Sequence, residues 1–198
     1  EMCIRDRYKI DPRFGSNSDY KNFVAEAKKL GIGVIQDIVV NHIGSNHWWI
    51  KDLPEQSWLN YNASFHPTNH ARTTVQDPYA AKVDAKAFVD GWFVESMPDL
   101  NQRHPLLATY LIQNSVWWVE YAQLSGIRED TYSYADKDFL TAWSKRLMSE
   151  YPNFNIVGEE WSANPVVVSY WQKGKQNADG YQSFTPSMMD FPLYYALL

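Results

Sequence analysis

Ile32–Val40 reads IGVIQDIVV, an apolar run rich in β-branched residues with one amide and one carboxylate inside it. That is the pattern of a strand buried on both faces of a parallel sheet. Just before it, Tyr20, Phe23, Val24, Ala27 and Leu30 keep helical spacing between Ser18 and Leu30, with Ser18 or Asp19 as the cap and Gly31 as the terminator. A helix feeding a buried strand predicts an α/β fold. The pattern returns downstream. Pro105 opens a long apolar helix through Trp117 and Trp118 to Leu124, and a short strand follows over Ile127–Tyr132. Asp136 caps the next helix, which carries Phe139, Leu140, Trp143 and Leu147 on one side and ends before Pro152; Phe154–Trp161 is then a third strand. Asn164 and Pro165 open another helix, and a fourth strand is expected around Met189–Leu193. Such alternation predicts a parallel sheet, as a barrel or doubly wound. The doubly wound form as a nucleotide binder calls for a G-x-G-x-x-G loop, and the sequence has none.

One connection breaks the rhythm. About sixty residues, His42 to His104, separate the first strand from the next core helix, where roughly 2–6 are usual. Residues 43–104 are therefore expected to form an inserted subdomain between the parts 8–42 and 105–198. Long segments at strand C-termini are where α/β proteins build their sites. Residues 1–7, EMCIRDR, resemble a translated sequencing adapter and are set apart from the fold. The chain stops abruptly at Leu198 after the apolar stretch Met188–Leu198, which shows no cap or closing turn, so truncation is expected at both ends.

With 198 residues, 45% of them hydrophobic, one core can be buried. A formal charge of -5 offers no basic footprint for nucleic acid or an anionic membrane, and no apolar run is long enough to span a bilayer. A neutral partner fits better. Nine Trp and 13 Tyr supply the flat amphipathic rings that stack on sugars, although ordinary core aromatics explain the count equally well. The lone Cys3 rules out an intrachain disulfide and leaves cytoplasmic and periplasmic locations equally open.

Strand period puts Asp37, Val39 and Asn41 on one face, Arg128 with Asp130 on one face, and Val157, Glu159 and Trp161 on one face. Charges at the ends of parallel strands need a reason, because burying an unpaired one costs several kcal/mol. An active site at the C-terminal ends of barrel strands supplies it. Two carboxylates on facing strands, Asp130 and Glu159, are what glycosidic bond cleavage requires. Arg128 is expected to hold Asp130 ionised, whereas Glu159, between Gly158 and Trp161, is expected to keep its proton. A purely structural Asp37–Arg128–Asp130 ion network is the alternative.

Four motifs occur in order: IQDIVVNH at 35–42, MPDLN at 97–101, GIRED at 126–130 and GEEW at 158–161. Together they resemble the conserved regions of glycoside hydrolase family 13, the α-amylase family, and especially its neopullulanase and cyclomaltodextrinase branch, over nearly all of the chain from Tyr8. The resemblance implies part of a TIM (β/α)8 barrel, with a B domain inserted after the third strand, where the long connection falls. It implies retaining hydrolysis of α-1,4 glucosidic bonds, with α-1,6 bonds also open, in substrates such as cyclodextrin, pullulan or maltooligosaccharides. By position Asp130 resembles the nucleophile, Glu159 the general acid/base, Arg128 the residue orienting the nucleophile, and His42 and Trp161 substrate contacts. Asp37 resembles the partner of Arg128. Asp99 resembles a residue at the boundary of the insertion, a turn or cap aspartate being the plainer reading. Asn41 resembles an asparagine that in some relatives ligates calcium, with a purely hydrogen-bonding role at least as open. No cofactor is required, and a structural calcium is compatible. Glu160 alternates away from Glu159 and is expected to support the site from behind. His47, His66, His70 and His104 show no ligand spacing and are read as surface or loop residues.

Two departures stand out. Glu129 occupies a position where the family carries an apolar residue; it points toward the helix layer and should destabilise the fold unless a Lys or Arg there pairs with it. The family's third carboxylate, in a Phe-x-x-Asn-His-Asp segment after the seventh strand, and its first two strands are not among these 198 residues. About four of eight strands are thus expected, with exposed edges that make the chain by itself poorly soluble and inactive. The rival function is a non-catalytic sugar-binding or scaffold relative on the same barrel. Such proteins typically lack one carboxylate, and both candidates are present here.

Overall fold

Ser16, two residues ahead of the expected cap, starts the first helix. Its hydroxyl accepts from the Asp19 N–H at 3.2 Å while the Asp19 carboxylate accepts from the Ser16 N–H at 2.8 Å, a reciprocal capping box that sets α1 as Asn17–Lys29. The reciprocal pair outcompetes Ser18, which corrects the sequence reading by one turn-entry position. Gly31, at φ +75°, then releases the chain into β1, Ile35–Ile38. These observations come from a computed structural model that describes residues 6–198; Cys3 and the remainder of residues 1–5 lie outside the described residues.

The remaining core elements follow in order. α2 is Lys82–Val89, α3 Pro105–Ala122, β2 Gly126–Glu129, α4 Lys137–Glu150, β3 Asn155–Gly158, α5 Pro165–Ser169, β4 Ser187–Met188 and α6 Phe191–Ala196. The caps at Asp136 and at Asn164–Pro165 form as read: Asp136 accepts from the N–H groups of Asp138 and Phe139, and Asn164 from that of Val166. The expected fourth strand is displaced. It lies at Ser187–Met188, and most of Met189–Leu193 instead enters α6, where Asp190 accepts from the Leu193 N–H and Pro192 occupies the first turn. The C-terminal apolar stretch therefore does carry a cap.

All four strands are parallel and ordered β1-β2-β3-β4. A doubly wound sheet reverses its strand order at a switch point, whereas sequential order is what an arc of a (β/α)8 barrel shows. Register then places residues with no further assumption: Asp37 faces Arg128 and Arg128 faces Val157, while Ile38, Glu129 and Gly158 form the next row. At Gly158 a Cβ would come within 2.7 Å of the Tyr132 ring and 2.8 Å of Met188, so only glycine lets β4 and Tyr132 approach.

β1 is not buried on both faces, as its composition suggested. Gln36 and Ile38 are buried on the helix side, but Ile35 is 53% exposed because β1 is the edge strand of the sheet. Behind the sheet Trp118, Trp143, Leu111, Leu140 and Leu147 are essentially inaccessible, each large side chain contributing about 1.5–3 kcal/mol by burial. Their polar edges are satisfied: the Trp143 indole donates to the Ser115 hydroxyl at 2.9 Å, and that of Trp118 to the Arg7 carbonyl at 2.8 Å.

Arg7 corrects the exclusion of the first seven residues. It is buried, donates to the Val39 and His42 carbonyls at 2.7 and 2.9 Å, and accepts at its own carbonyl from Asn114 at 2.7 Å. It thus fixes the chain leaving β1 against α3. Residues 43–104 add no strand to the sheet; they form α2 and short 3-10 turns joined by loops. An antiparallel bridge of His42 with Asp99 ties their end to the exit of β1, and another, Leu59 with Leu100, closes the segment on itself. Among the described residues no helix is long and apolar enough to cross a membrane.

Glu129 sits fully buried on the helix side of β2 with no side-chain hydrogen-bond partner, and the backbone of Val40 is the one neighbour that favours its charged form. The ionisable groups that act on it most, Asp130, Asp37 and Glu159, are acids like itself, so burial above all holds its pKa well above the usual 4.5. Between the ordinary value and that raised one, the unfolded chain binds fewer protons than the folded chain. Stability from this group therefore falls as pH rises through that window. Glu129→Val should raise the melting temperature by about 2–8 °C for a gain of ~1–2 kcal/mol, and by more at pH 8 than at pH 5. Thermal unfolding at the two pH values measures it; an unchanged or lower melting temperature contradicts the assignment.

Candidate active site

The C-terminal ends of β1, β2 and β3 converge on one guanidinium. Arg128 Nη1 lies 2.7 and 2.8 Å from the two oxygens of Asp37 and 2.9 Å from Asp130 Oδ1, and Nη2 pairs with Glu159 Oε1. Register delivers Asp37, directly across from Arg128; the other two follow from the backbone continuing beyond the strands. The Asp130 N–H donates to the Ile38 carbonyl at 3.0 Å and the Glu159 N–H to the Glu129 carbonyl at 3.0 Å, so the ladder carries both carboxylates in step. Burial alone would favour deprotonation of Arg128, but its hydrogen bonds to Asp37 and Asp130 bind its proton more firmly than usual.

Thr131, immediately after Asp130, adopts φ +49°, a costly conformation for a β-branched residue. The turn aims its N–H at Glu159 Oε2, 2.9 Å away. The Trp161 indole donates to Glu159 Oε1 at 2.7 Å, and its ring stacks on Phe191 with centroids 4.0 Å apart. Glu159 thus accepts from Arg128, Thr131 and Trp161, whereas the Asp130 carboxylate accepts from Arg128.

That asymmetry overturns the expected proton placement. For Asp130, burial and the neighbouring negative charge of Glu159 outweigh the Arg128 contact and raise its pKa. For Glu159, burial pushes upward, but the Thr131 and Trp161 hydrogen bonds together with Arg128 pull its pKa below the ordinary value. In this unliganded arrangement the more readily protonated partner is Asp130. Proximity to Arg128 in sequence is less decisive than the number of donors each carboxylate meets.

A cavity of about 360 Å³ opens over this pair, with His42, Phe93, Met97, Tyr134 and Trp161 in its walls. A second, of about 500 Å³, reaches His42 and Asp130 from the side of Asp37. Both are of the size that small ligands occupy. His42 is buried and its Nδ1 lies 3.4 Å from the Asn41 amide; desolvation and then the charge of Arg7 lower its pKa to about 4. Glu160 is buried, and it lines the same cavity as Glu159. Its partner is Arg72 of the insertion, at 2.6 Å, a residue the sequence reading did not single out. Only the need of a buried carboxylate for a cation pointed to such a residue.

Other expectations change. His47 is buried and caps a 3-10 turn by accepting from the Trp49 N–H at 3.1 Å, and His104 caps α3 while contacting Glu55 at 2.9 Å, so neither is a plain loop residue. His70 Nδ1 lies 3.0 Å from the hydroxyl of Tyr134, a residue of the cavity wall. Asp99 is no turn aspartate: fully buried, it accepts from the Asn60 amide at 2.8 Å with Oδ2, and its Oδ1 has no hydrogen-bond partner. Asn41 Oδ1 is likewise buried without one. These are two hard oxygens of the kind calcium takes, against the roughly six to eight it needs. Among the described residues no three His, Cys, Asp or Glu side chains converge on a metal position.

Two carboxylates and an arginine at the C-terminal ends of parallel strands, facing a cavity, define the class: an α/β-barrel protein with its site where barrel enzymes carry theirs. The chain belongs to the α-amylase family: the model of the α-amylase catalytic domain matches residues 2–193. It is 28% identical to an intracellular maltogenic amylase of Bacillus subtilis over 94% of this chain and 29% of that protein. It is 29% identical to a cyclomaltodextrinase of Geobacillus thermopakistaniensis over 98% of this chain and 30% of that protein. Among solved structures, the α-amylase of Geobacillus thermoleovorans in complex with acarbose superposes with a TM-score of 0.75 at 33% identity, over 98% of this chain and 38% of that one. The chain therefore spans about a third of the length of these relatives, and its four strands are part of a (β/α)8 barrel.

His42 gives a direct check. Its folded pKa near 4 lies below the usual 6.5, so between those values the unfolded chain binds more protons and stability is lost as pH falls from 6.5 toward 4. In an NMR titration its imidazole should stay neutral at pH 5.5; a midpoint near 6.5 would contradict the buried, Arg7-facing environment.

Proposed function

We propose that the protein containing this chain is a retaining α-glucan hydrolase, with Asp130 as nucleophile and Glu159 as general acid/base. The observation that carries the reading is the convergence of Asp130 and Glu159 on Arg128 beneath a cavity walled by His42 and Trp161. The first step joins an Asp130 carboxylate oxygen to the anomeric carbon while the bond to the leaving oxygen breaks, and Glu159 gives that oxygen its proton. Water then attacks the anomeric carbon, Glu159 takes its proton, and the ester to Asp130 breaks.

Before the first step, the proton favoured on Asp130 must move to Glu159. A sugar that parts Glu159 from Arg128 removes one stabilising charge from Glu159 and leaves Arg128 to Asp37 and Asp130, which shifts both carboxylates in the needed direction. Arg128 and Asp37 orient the nucleophile. A neutral His42 can donate to a sugar hydroxyl without adding charge, and Trp161 offers an exposed indole face.

The names of the relatives, maltogenic amylase, cyclomaltodextrinase and neopullulanase, support α-1,4 glucans as substrates, with cyclodextrin, pullulan and maltooligosaccharides as first trials. The presence of both carboxylates favours this reading over a non-catalytic sugar-binding relative. We also propose that the chemistry needs no metal; a structural calcium would use Asn41 Oδ1 and Asp99 Oδ1.

In the full-length protein, Asp130→Asn and Glu159→Gln should each lower kcat by roughly 10²–10⁴-fold or more, and NMR of the first-formed product should show retained anomeric configuration. Parental turnover by Asp130→Asn, or an inverted product, would sink the assignment. Dialysis against EDTA should leave kcat unchanged, whereas loss of turnover restored by calcium would show that the metal is required.

A further inference from the structure

We propose that Arg72, carried by the insertion, is a positioning residue that fixes Glu159 through Glu160 and Trp161; the proposal rests on the hydrolase reading above. Glu160 follows Glu159 directly and has a fully buried side chain, on which Arg72 Nη1 closes at 2.6 Å. The same nitrogen donates to the Trp161 carbonyl, and Nη2 lies 3.3 Å from the Tyr134 hydroxyl. One guanidinium therefore holds the side chain of the residue after Glu159 and the backbone of the next. Trp161 closes the circuit, since its indole donates to Glu159 Oε1 at 2.7 Å. Displacing the Trp161 backbone would move a hydrogen bond that orients Glu159 and lowers its proton affinity.

Arg72 is itself firmly set. It begins a 3-10 turn, Arg72–Val75, entered through His70 in the left-handed conformation at φ +53°. The turn is fastened to the barrel helices: Lys137 of α4 donates to the Val75 carbonyl at 3.1 Å, and Gln76 donates to the Val167 carbonyl of α5 at 3.0 Å. The entry to the turn is held as well: the His70 N–H donates to the Thr68 hydroxyl at 3.3 Å, and the Thr68 N–H to the Trp92 carbonyl at 2.9 Å. A side chain meant only to close a surface ion pair would not need a platform tied to two helices. Arg72 and Glu160 both line the cavity, so the test must separate positioning of Glu159 from direct contact with substrate.

A double-mutant cycle on the full-length protein makes that separation. Arg72→Ala and Glu160→Gln should each lower kcat by about 10-fold or more with KM changed less than about 3-fold, and the double variant should be no worse than the worse single one. Arg72→Lys, which keeps the charge but loses the fork, should recover part of the loss. Additive losses, a loss mainly in KM, or unchanged kcat would overturn the proposal. If Arg72→Ala does not fold because Glu160 is left unpaired, the double variant has no such charge and is measured in its place; a kcat within about 3-fold of the unmodified protein overturns the proposal. Absence of turnover in the unmodified protein would instead defeat the hydrolase reading. The link is then judged by amide exchange at residues 160–163, which should quicken in Arg72→Ala while α3 stays unchanged; no change there also overturns it.

Discussion

Everything at the strand ends depends on Arg128 serving three carboxylates with one positive charge. Asp37, Asp130 and Glu159 approach the same guanidinium, so the cluster stays net negative and its members compete. Competition makes the carboxylates responsive to whatever enters the cavity: a ligand that takes one away from Arg128 alters the proton affinity of the others. A structural ion network would be indifferent to the cavity, whereas here the cavity opens onto it. The parallel register is what makes the sharing possible, because it sets Asp37 beside Arg128 and carries Asp130 and Glu159 one step past their strands.

What the sequence made legible was local. Asp136 and Asn164–Pro165 announce their helices because a cap needs only one side chain and the next turn. The strand-end carboxylates could be read because period-2 alternation and the rarity of buried charge act within a few residues. Misreadings arose where distant partners decide. The Asp130–Glu159 proton order turned on donors from Thr131 and Trp161, one of them presented by a left-handed turn that no pattern foretells. The fourth strand shifted because Asp190 and Pro192 favour a helix where the aromatic run suggested a strand. Arg7 looked foreign to the fold, yet its guanidinium and carbonyl bridge the exit of β1 to α3 across 32 to 111 residues.

The insertion is not a passive appendage to the sheet. Its end is bridged to His42 and its middle supplies Arg72 to Glu160. The same strand end is therefore held by two different parts of the chain: Arg128 from β2 on Glu159, and Arg72 from the insertion on Glu160. Glu129 is the counterexample, a buried carboxylate that received no cation from either side.

The length of that insertion bears on how the chain assembles. The Asp37–Arg128 contact closes a loop of 91 residues, and the Arg128–Glu159 contact one of 31. Closure entropy grows only with the logarithm of loop length, so the longer loop costs merely about 1 kcal/mol more than the shorter. In equilibrium terms the protein can carry a large subdomain between its first two strands at little expense. In kinetic terms the contacts differ: the β2–α4–β3 unit brings Asp130 and Glu159 together through short-range encounters, while Asp37 must wait for a long-range one. The carboxylate pair is joined across the shorter loop, and the partner that completes its arginine across the longer one.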